Sequence, residues 1–231
     1  MPRIPLIENL TKNPIPPGTN ILAEFDPTSQ WYNASITITA GWLRSSGRVD
    51  YDTFAQPPDD VRAQLNRLGF EPEVLEREEK LTITDWYTTT LGQKSKEKHS
   101  HDTLKIHELS PYFAASVMLG EPEPDHLYIA DDDTTFARFN DEKAFVELEL
   151  TRLMPAFRRR KAIGFCGVMK GVQSDWVYRR LEAASDVVLD FKVDETGEEA
   201  RDLMRIRNMR NVHFDRKWHT LKVSENFEVT L

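Results

Sequence analysis

Apolar runs suited to buried strands alternate along this chain with segments whose apolar residues recur at helical spacing. The strand-like runs include NILAEF at 20–25, RVDYDTFA at 48–55, HLYIADDD at 126–133 and KAIGFCGVM at 161–169. This alternation predicts a largely parallel sheet covered by helices on both faces. The length of 231 residues suits one large domain, so we predict a single α/β domain over residues 1–231.

Helical patterns fill the intervals between these runs. The segment ASITITAGWLRSS follows the first strand, although its β-branched residues have weak helix propensity. PPDDVRAQLNRLG at 57–69 begins with proline and stops at glycine, as helices often do. SPYFAASVMLG at 110–120 and WVYRRLEAA at 176–184 predict two short helices.

The longest helical pattern is NDEKAFVELELTRLMPAFRRRK at 140–161. One predicted face carries the apolar residues Val146, Leu150, Leu153 and Phe157. Pro155 lies inside the pattern and lacks a backbone N–H, so it predicts a kink or a break at this point.

Three further patterns complete the sheet and its connections. LTITDWYTT at 81–89 alternates like a strand. The stretch that follows is polar and without period, which predicts a loop over about 90–107. Near the C-terminal end, VVLDFKV, LMRIRNM and WHTLKV predict three closing strands, antiparallel at the edge of the sheet.

Charge and composition narrow the function classes. The 38 acidic and 30 basic residues give a net charge of −8, which disfavours a protein whose main role is to bind nucleic acid or an anionic membrane. The sequence has no signal-peptide pattern and no apolar run of membrane-spanning length, so we expect a cytoplasmic protein. Cys166, the single cysteine, lies in an apolar run and is expected to be a packed core thiol.

The junction after the first strand carries the most informative motif. A strand, a tight turn and a helix form the setting of the P-loop, G-x-x-x-x-G-K-[ST], whose backbone and lysine hold phosphate. The eight corresponding positions here are Phe25, Asp26, Pro27, Thr28, Ser29, Gln30, Trp31 and Tyr32. Phe25 and Gln30 replace the glycines, and Trp31 replaces the lysine charge. The sequence therefore predicts a degenerate loop that cannot cradle a triphosphate in the usual way.

The order of elements resembles a known family. The segments that carry the likeness are NPIPPGTNILAEFDPTSQWYNASITITAGWL, LYIADDD, FNDEKAFVELE, SDWVYRRLEAASDVVLDFKV and MRIRNMRNVHFDRKWHTLKV. They resemble the archaeal KaiC-like branch of the RecA superfamily, and most closely its members described as inactivated ATPases linked to signal transduction. The likeness spans about residues 5–225. It implies a RecA-like fold, mostly parallel with an antiparallel C-terminal edge, often assembled into rings or filaments, with nucleotide bound between subunits in active members.

The departures from active members concern the catalytic positions. By this resemblance, Trp31 stands at the Walker A lysine and Tyr32 at the Ser/Thr that binds metal. Ala55 and Gln56 stand where active relatives place the glutamate that activates water. Asp131 and Asp132 remain as a Walker B-like end. We therefore expect no catalytic residue, no cofactor and no metal, with residual nucleotide or Mg²⁺ binding as a minor alternative.

Several clusters have a functional and a structural interpretation. The run from Asp131 to Asp133 could bind Mg²⁺ or Ca²⁺, but a solvated strand end is the preferred interpretation. The residues His99, His101, Asp102 and His107 could bind Zn²⁺, but they lie in the polar loop. The aromatic residues Trp31, Tyr32 and Trp42 could stack on a base, but we expect them to fill the space that phosphate and lysine vacated.

The function expected from these observations is that of an inactive RecA/KaiC-like domain with a regulatory or scaffolding role. The expected partner is a protein, either a second copy or an active KaiC-like paralogue. The candidate interface residues are Trp31, Tyr32, Arg158, Arg159 and Arg160. Two alternatives stay open: a nucleotide-binding enzyme with a non-standard Walker A site, and a DNA-associated recombinase paralogue that uses the basic cluster.

Overall fold

The structure is a computed structural model that describes residues 2–11, 13–109 and 120–231. Its strands are β1 (Asn20–Phe25), β2 (Arg48–Thr53), β3 (Leu81–Asp85), β4 (His126–Ala130), β5 (Ile163–Met169), β6 (Val187–Asp194), β7 (Arg201–Met209), β8 (His219–Thr220), β9 (Lys222–Val223) and β10 (Val229–Thr230). The helices are α1 (Pro5–Thr11), α2 (Trp31–Arg44), α3 (Pro58–Arg67), α4 (Pro72–Arg77), α5 (Tyr87–Thr90), α6 (Asp133–Arg138), α7 (Glu142–Leu148), a π-helical segment (Glu149–Leu153), α8 (Met154–Arg160) and α9 (Asp175–Ala184). The helix predicted at 110–120 lies outside the described residues, apart from Gly120.

Eight strands form one sheet in the order β3-β2-β4-β5-β1-β6-β7-β8. From β3 to β6 all neighbouring strands are parallel, and β7 and β8 add an antiparallel edge. This arrangement confirms the predicted fold class, a mostly parallel α/β sheet with an antiparallel C-terminal edge. The carboxyl ends of β1, β2, β4 and β5 therefore meet at one edge of the sheet, and the candidate junction lies there.

Helices cover both faces of the sheet. The Tyr51 hydroxyl of β2 lies 2.9 Å from Ser35 Oγ of α2, so the odd-numbered side chains of β2 face α2. Asp50 and Asp52 point to the other face, because side chains alternate along a strand. A second core there joins α7, α8 and α9 to the sheet. The two faces, called the α2 face and the opposite face below, hold separate clusters of side chains.

Helix α2 forms despite its β-branched residues because nearly its whole surface is buried. Ile36, Ile38 and Trp42 are at most 3% exposed, and packing of this kind outweighs weak intrinsic propensity. Helix α3 follows the predicted signals, with Pro58 at its start and Gly69, at φ +85°, just after its end.

The long helical pattern is interrupted as Pro155 predicts. The N–H of Met154 donates to the Glu149 carbonyl, a step of five residues instead of four, and Pro155 then begins α8. Glu149 and Met154 are buried, while Leu150 and Leu153 are partly buried and pack against the second core. The predicted apolar face is therefore confirmed at Val146 and in part at Leu150 and Leu153, and it also includes the acidic Glu149.

Two strand predictions need correction. The run at 81–89 is a strand only to Asp85, whose side chain accepts a hydrogen bond from the Thr88 N–H and so helps to start α5. Strand β6 is antiparallel to β7 but parallel to β1, so only two closing strands are antiparallel additions to the main sheet. WHTLKV is divided between β8 and β9, and β9 pairs with β10 in a separate two-stranded sheet.

The polar loop after α5 is tied to the body of the protein. Glu97 forms a bidentate ion pair with Arg62 of α3, with N–O distances of 2.7 and 2.9 Å. Ser95 donates a 2.6 Å hydrogen bond to Asp85. Within the described ranges, no helix has the length and apolar character needed to cross a membrane.

Candidate functional site

The junction between β1 and α2 lies at the carboxyl edge of the sheet. The loop from Asp26 to Gln30 folds on itself, because Ser29 donates both its N–H and its hydroxyl to the Asp26 carbonyl. The Asp26 N–H donates to the Phe191 carbonyl of β6. Pro27 and Thr28 are exposed, and Gln30 donates from its side chain to Asp202 at 3.0 Å. The loop is thus held by contacts within the chain.

Trp31 fills the space behind this loop. Its side chain is 0% exposed and stacks on Phe25 and Phe165, with ring centroids 5.6 Å apart in each pair. A Cβ atom at Gly167 would lie 2.6 Å from the indole, so glycine on β5 makes room for the ring. The indole N–H donates to the backbone carbonyl of Asp131. These contacts agree with the expectation that Trp31 occupies the vacated space.

Trp42 does not belong to this site. It is buried near the end of α2, and its N–H donates to the Asp125 carbonyl just before β4 begins. That position is at the amino edge of the sheet. The expectation that Trp42 shares the filled pocket with Trp31 is therefore wrong.

Asp131 is buried and its carboxylate is held by the backbone of the chain itself. Oδ1 accepts hydrogen bonds from the N–H groups of Phe54 at 2.8 Å and Ala55 at 3.3 Å. Oδ2 lies 3.2 Å from Thr53 Oγ1. Burial, with a smaller contribution from the charge of Asp132, raises the pKa of Asp131 to about 7. The side chain thus supports the loop after β2 instead of facing a ligand.

The three consecutive aspartates point to different places. Asp132 begins α6 by accepting from the Thr134 N–H at 3.0 Å, and it also accepts from the Tyr32 hydroxyl at 3.2 Å. Asp133 lines a cavity on the opposite face. All three are at most 8% exposed, so the expected solvated strand end is wrong. Because they diverge, they do not form one carboxylate cluster either.

Ala55 and Gln56 line a groove of about 550 Å³ beside the junction, together with Tyr32. The amide of Gln56 cannot act as a general base. Its oxygen accepts a hydrogen bond from the Gln64 side chain at 2.6 Å. The basic residue in the groove wall is Arg67, whose guanidinium lies 5.3 Å from the centre of the Phe227 ring. The groove therefore has no carboxylate at Ala55 or Gln56, where active relatives of the resembled family place a glutamate. It also has no cluster of cations for a triphosphate among its described residues.

Sequence reasoning missed Lys170, the cation that lies next to the junction loop. It directly follows β5, whose last residue pairs with Phe25 at the end of β1. Its Nζ lies 3.7 Å from Asp26 and 3.4 Å from Asp190. The two carboxylates offset its charge. The register of adjacent parallel strands was the signal that could have placed it there.

The candidate interface is not one surface. Trp31 is fully buried and cannot anchor a partner. The basic cluster ends α8 just before β5 begins, which puts it at the amino edge of the sheet, away from the junction. Arg158 binds Asp186 at 3.0 Å, and Arg160 is 7% exposed and binds Glu123 at 2.5 Å. The prediction that Trp31, Tyr32 and the cluster from Arg158 to Arg160 form one interface is therefore wrong. The pairing of Arg158 and Arg160 with carboxylates of the chain also disfavours a DNA-binding patch.

Of the histidines in the polar loop, His101 is engaged in packing, whereas His99 and His107 are exposed. His101 stacks on Trp86 with ring centroids 4.2 Å apart, and burial lowers its pKa. In the part of the chain that the structure describes, no group of three or more His, Cys, Asp or Glu side chains is arranged to hold a metal ion.

Comparison with known proteins gives structural relatives but no sequence family. No family model and no curated protein matches the chain. The KaiC-like protein PH0186 from Pyrococcus horikoshii OT3 is similar in structure, with a TM-score of 0.71 and 16% identity over 99% of this chain and 95% of that one. The flagellar accessory protein FlaH from Methanocaldococcus jannaschii has a TM-score of 0.72 and 15% identity over 96% and 93%. The chain therefore has the α/β RecA-like fold that these KaiC-like and FlaH structures share.

Proposed function

We propose that this protein is a catalytically inactive RecA/KaiC-like domain that acts as a regulatory or scaffolding protein. The observation that carries the proposal is the position of Trp31, whose buried indole lies between the junction loop and Asp131. A lysine at this position in a P-loop supplies the charge that holds the β- and γ-phosphates. A buried tryptophan supplies no positive charge, and its ring occupies the space behind the junction loop.

The state of the other catalytic positions supports the same proposal. Asp131 accepts hydrogen bonds from two backbone N–H groups at Oδ1, and Thr53 Oγ1 lies 3.2 Å from Oδ2, so its carboxylate is engaged within the chain. Ala55 and Gln56 offer no carboxylate that could orient or deprotonate water. The chemistry of ATP hydrolysis would need all of these functions at once.

The partner we propose is another RecA-like subunit, either a second copy or an active KaiC-like paralogue. A RecA-type core commonly contacts neighbouring subunits beside the nucleotide loop, and this surface can be retained when catalysis is lost. Val172 and Trp176 lie at the carboxyl edge of the sheet and are 43% and 45% exposed. Exposed tryptophan is enriched among residues that dominate interface energies. They replace Trp31 and the arginine cluster as candidate anchors.

The resemblance also supports a cytoplasmic location and a role in archaeal signal transduction as parts of this proposal. The two alternatives have less support. A base could not stack on Trp31 without displacing it from the core, and two of the three clustered arginines are paired with carboxylates of the chain.

The test of inactivity measures ATP hydrolysis and ATP binding in the presence of Mg²⁺. We expect no turnover above a protein-free blank, and no heat of ATP binding by isothermal titration calorimetry. Turnover that is lost in the folded Asp131→Asn variant would refute the proposal and favour an enzyme with a non-standard nucleotide site. The test of partnership measures mass by light scattering, with and without ATP, and we expect association that does not need ATP.

A further inference from the structure

A cavity of about 330 Å³ lies on the opposite face of the sheet, away from the junction and from Trp31. Its walls come from β2, β4 and β5 and from the π-helical segment with α8. One buried water needs only about 10–15 Å³, and binding pockets for small molecules begin near 300 Å³. The cavity is therefore large enough for a ligand of several heavy atoms.

Carboxyl groups from three different elements face this cavity. Asp50 and Asp52 come from β2, Asp133 from the start of α6, and Glu149 from the π-helical segment. Glu149 is 5% exposed, and no described residue donates a hydrogen bond to its carboxylate. A buried carboxylate without a partner is costly, since the charge loses its hydration. Arg160, the cation among the described residues of the cavity wall, is paired with Glu123, so a ligand with a positive group or an N–H donor would suit Glu149.

Glu149 lies on the buried face of its helix, at the residue where the π turn begins. Phe145, four residues earlier, is buried on the same face, and the π turn inserts one residue after Glu149. In the same helix Glu147, two residues earlier, is exposed. Isolated π turns occur frequently at functional sites. An acidic residue thus occupies a position on the buried face of this helix.

A second and independent polar group faces the same cavity without a partner. Asn20 is 2% exposed, and its amide nitrogen donates to the Met154 carbonyl at 3.2 Å. Its Oδ1 is buried, and no described residue donates to it. Asn20 lies on β1 and carries no charge, so its unpaired oxygen is an observation independent of the acidic cluster. An unpaired acceptor again calls for a ligand that donates N–H.

The remaining wall is largely apolar and aromatic. Tyr128 and Phe157 stack with ring centroids 4.9 Å apart. Arg160 also reaches the wall, but its guanidinium is bound to Glu123 at 2.5 Å and lies over the Tyr128 ring. Aromatic faces attract cations as well as alkyl groups.

We propose that this cavity binds a small organic cation, an ammonium group attached to an apolar moiety. The ammonium N–H groups face Glu149 and Asp133, and Asn20 Oδ1 accepts one further hydrogen bond. The apolar moiety lies against Tyr128 and Phe157. Burial raises the pKa of Glu149 to about 7, and a bound ammonium group would favour its ionised form, whereas a neutral molecule of the same shape would not, so charge is the selective feature.

The test titrates the full chain with n-butylammonium and benzylammonium chloride, followed by calorimetry and ligand-observed NMR. The neutral isosteres n-butanol and benzyl alcohol serve as ligand controls. We expect the ammonium compounds to bind and the alcohols to bind more weakly by about tenfold or more. Failure of both ammonium compounds to bind, or equal binding of the alcohols, would overturn the proposal.

Matched variants locate the binding. Glu149→Gln removes the unpartnered charge with little change of volume and should weaken ammonium binding by about tenfold or more. Glu147→Gln makes the same chemical change on the exposed side of the helix and should leave binding unchanged. Asp133→Asn provides a second cavity variant, with folding of all three checked by circular dichroism. Equal affinity of wild type and folded Glu149→Gln would contradict the assignment.

Discussion

The indole N–H of Trp31 donates to the backbone carbonyl of Asp131, and this contact joins the first turn of α2 to the end of β4. In the P-loop arrangement these two elements face each other across phosphate and metal. Here they contact each other directly through a buried aromatic ring. The first turn of α2 and the end of β4 are thus joined here through the hydrophobic core.

Trp31→Lys should destabilise the fold and should not restore ATP binding. The change removes stacking on Phe25 and Phe165 and places an ammonium group in an apolar site. We expect a loss of roughly 3–5 kcal/mol in the free energy of unfolding, the usual range for a buried tryptophan. Urea denaturation measures it.

Trp176→Lys is the matched control for this substitution. Trp176 is 45% exposed, so the same chemical change should alter the free energy of unfolding by less than about 1 kcal/mol. An unchanged melting temperature for Trp31→Lys, or newly acquired ATP binding, would show that the indole is not a core element.

Asp131 should tolerate asparagine but not alanine. Asparagine keeps one oxygen that can accept from the Phe54 and Ala55 N–H groups, so we expect a change of no more than about 1 kcal/mol near neutral pH. Alanine leaves these two buried donors without an acceptor and should cost about 2–4 kcal/mol. Asp102→Ala, on the exposed surface, is the control. Equal stability of the asparagine and alanine variants of Asp131 would contradict its supporting role.

Much of the fold could be predicted from local pattern, since the strands are apolar runs with clear limits. NILAEF coincides with β1, and Pro155 marks the interruption of the long helix. The size of Trp31 also suggested that it fills the junction. These inferences depend only on residue type and on neighbours in sequence.

The errors concern contacts between segments far apart in sequence. Runs of carboxylates are usually solvated, but Asp131 finds its donors in the loop after β2, which the sequence does not place beside it. Arg158 finds its partner in Asp186, 28 residues further along the chain. The approach of Asp133 and Glu149 depends on how α6 and the π-helical segment pack on the sheet, which a local helical pattern does not show.

Trp176→Ser should weaken association with another RecA-like subunit without changing the fold. Trp176 is half-exposed on α9, so its loss removes interface area but little core packing. We expect a shift toward monomer by light scattering and sedimentation, and weaker recovery of a KaiC-like partner in pull-downs. Leu91→Ser is the control, because Leu91 is 54% exposed and follows α5, away from α9. Loss of association in both variants, or in neither, would exclude Trp176 as a specific anchor.

Glu149 makes the stability of the protein depend on pH. Burial raises its pKa from 4.5 to about 7. Below pH 4.5 the folded and unfolded states both hold the proton, so the group has no effect on stability. Between pH 4.5 and about 7 the unfolded chain has lost the proton while the folded chain retains it, so each rise in pH favours unfolding. Above this window the penalty is constant.

Glu149→Gln should therefore stabilise the protein at pH 8 and have almost no effect at pH 4. We expect a gain of about 1–3 kcal/mol in the free energy of unfolding at the higher pH, measured by urea denaturation across this range. Glu147→Gln should show no such dependence, because Glu147 is exposed. A gain at Glu149 that is the same at all pH values would mean that its charge is compensated in the folded chain. A gain that grows between pH 4.5 and about 7 and is constant above would mean that the wild type retains this acid at a cost to its own stability, which is the pattern expected of a residue kept for binding.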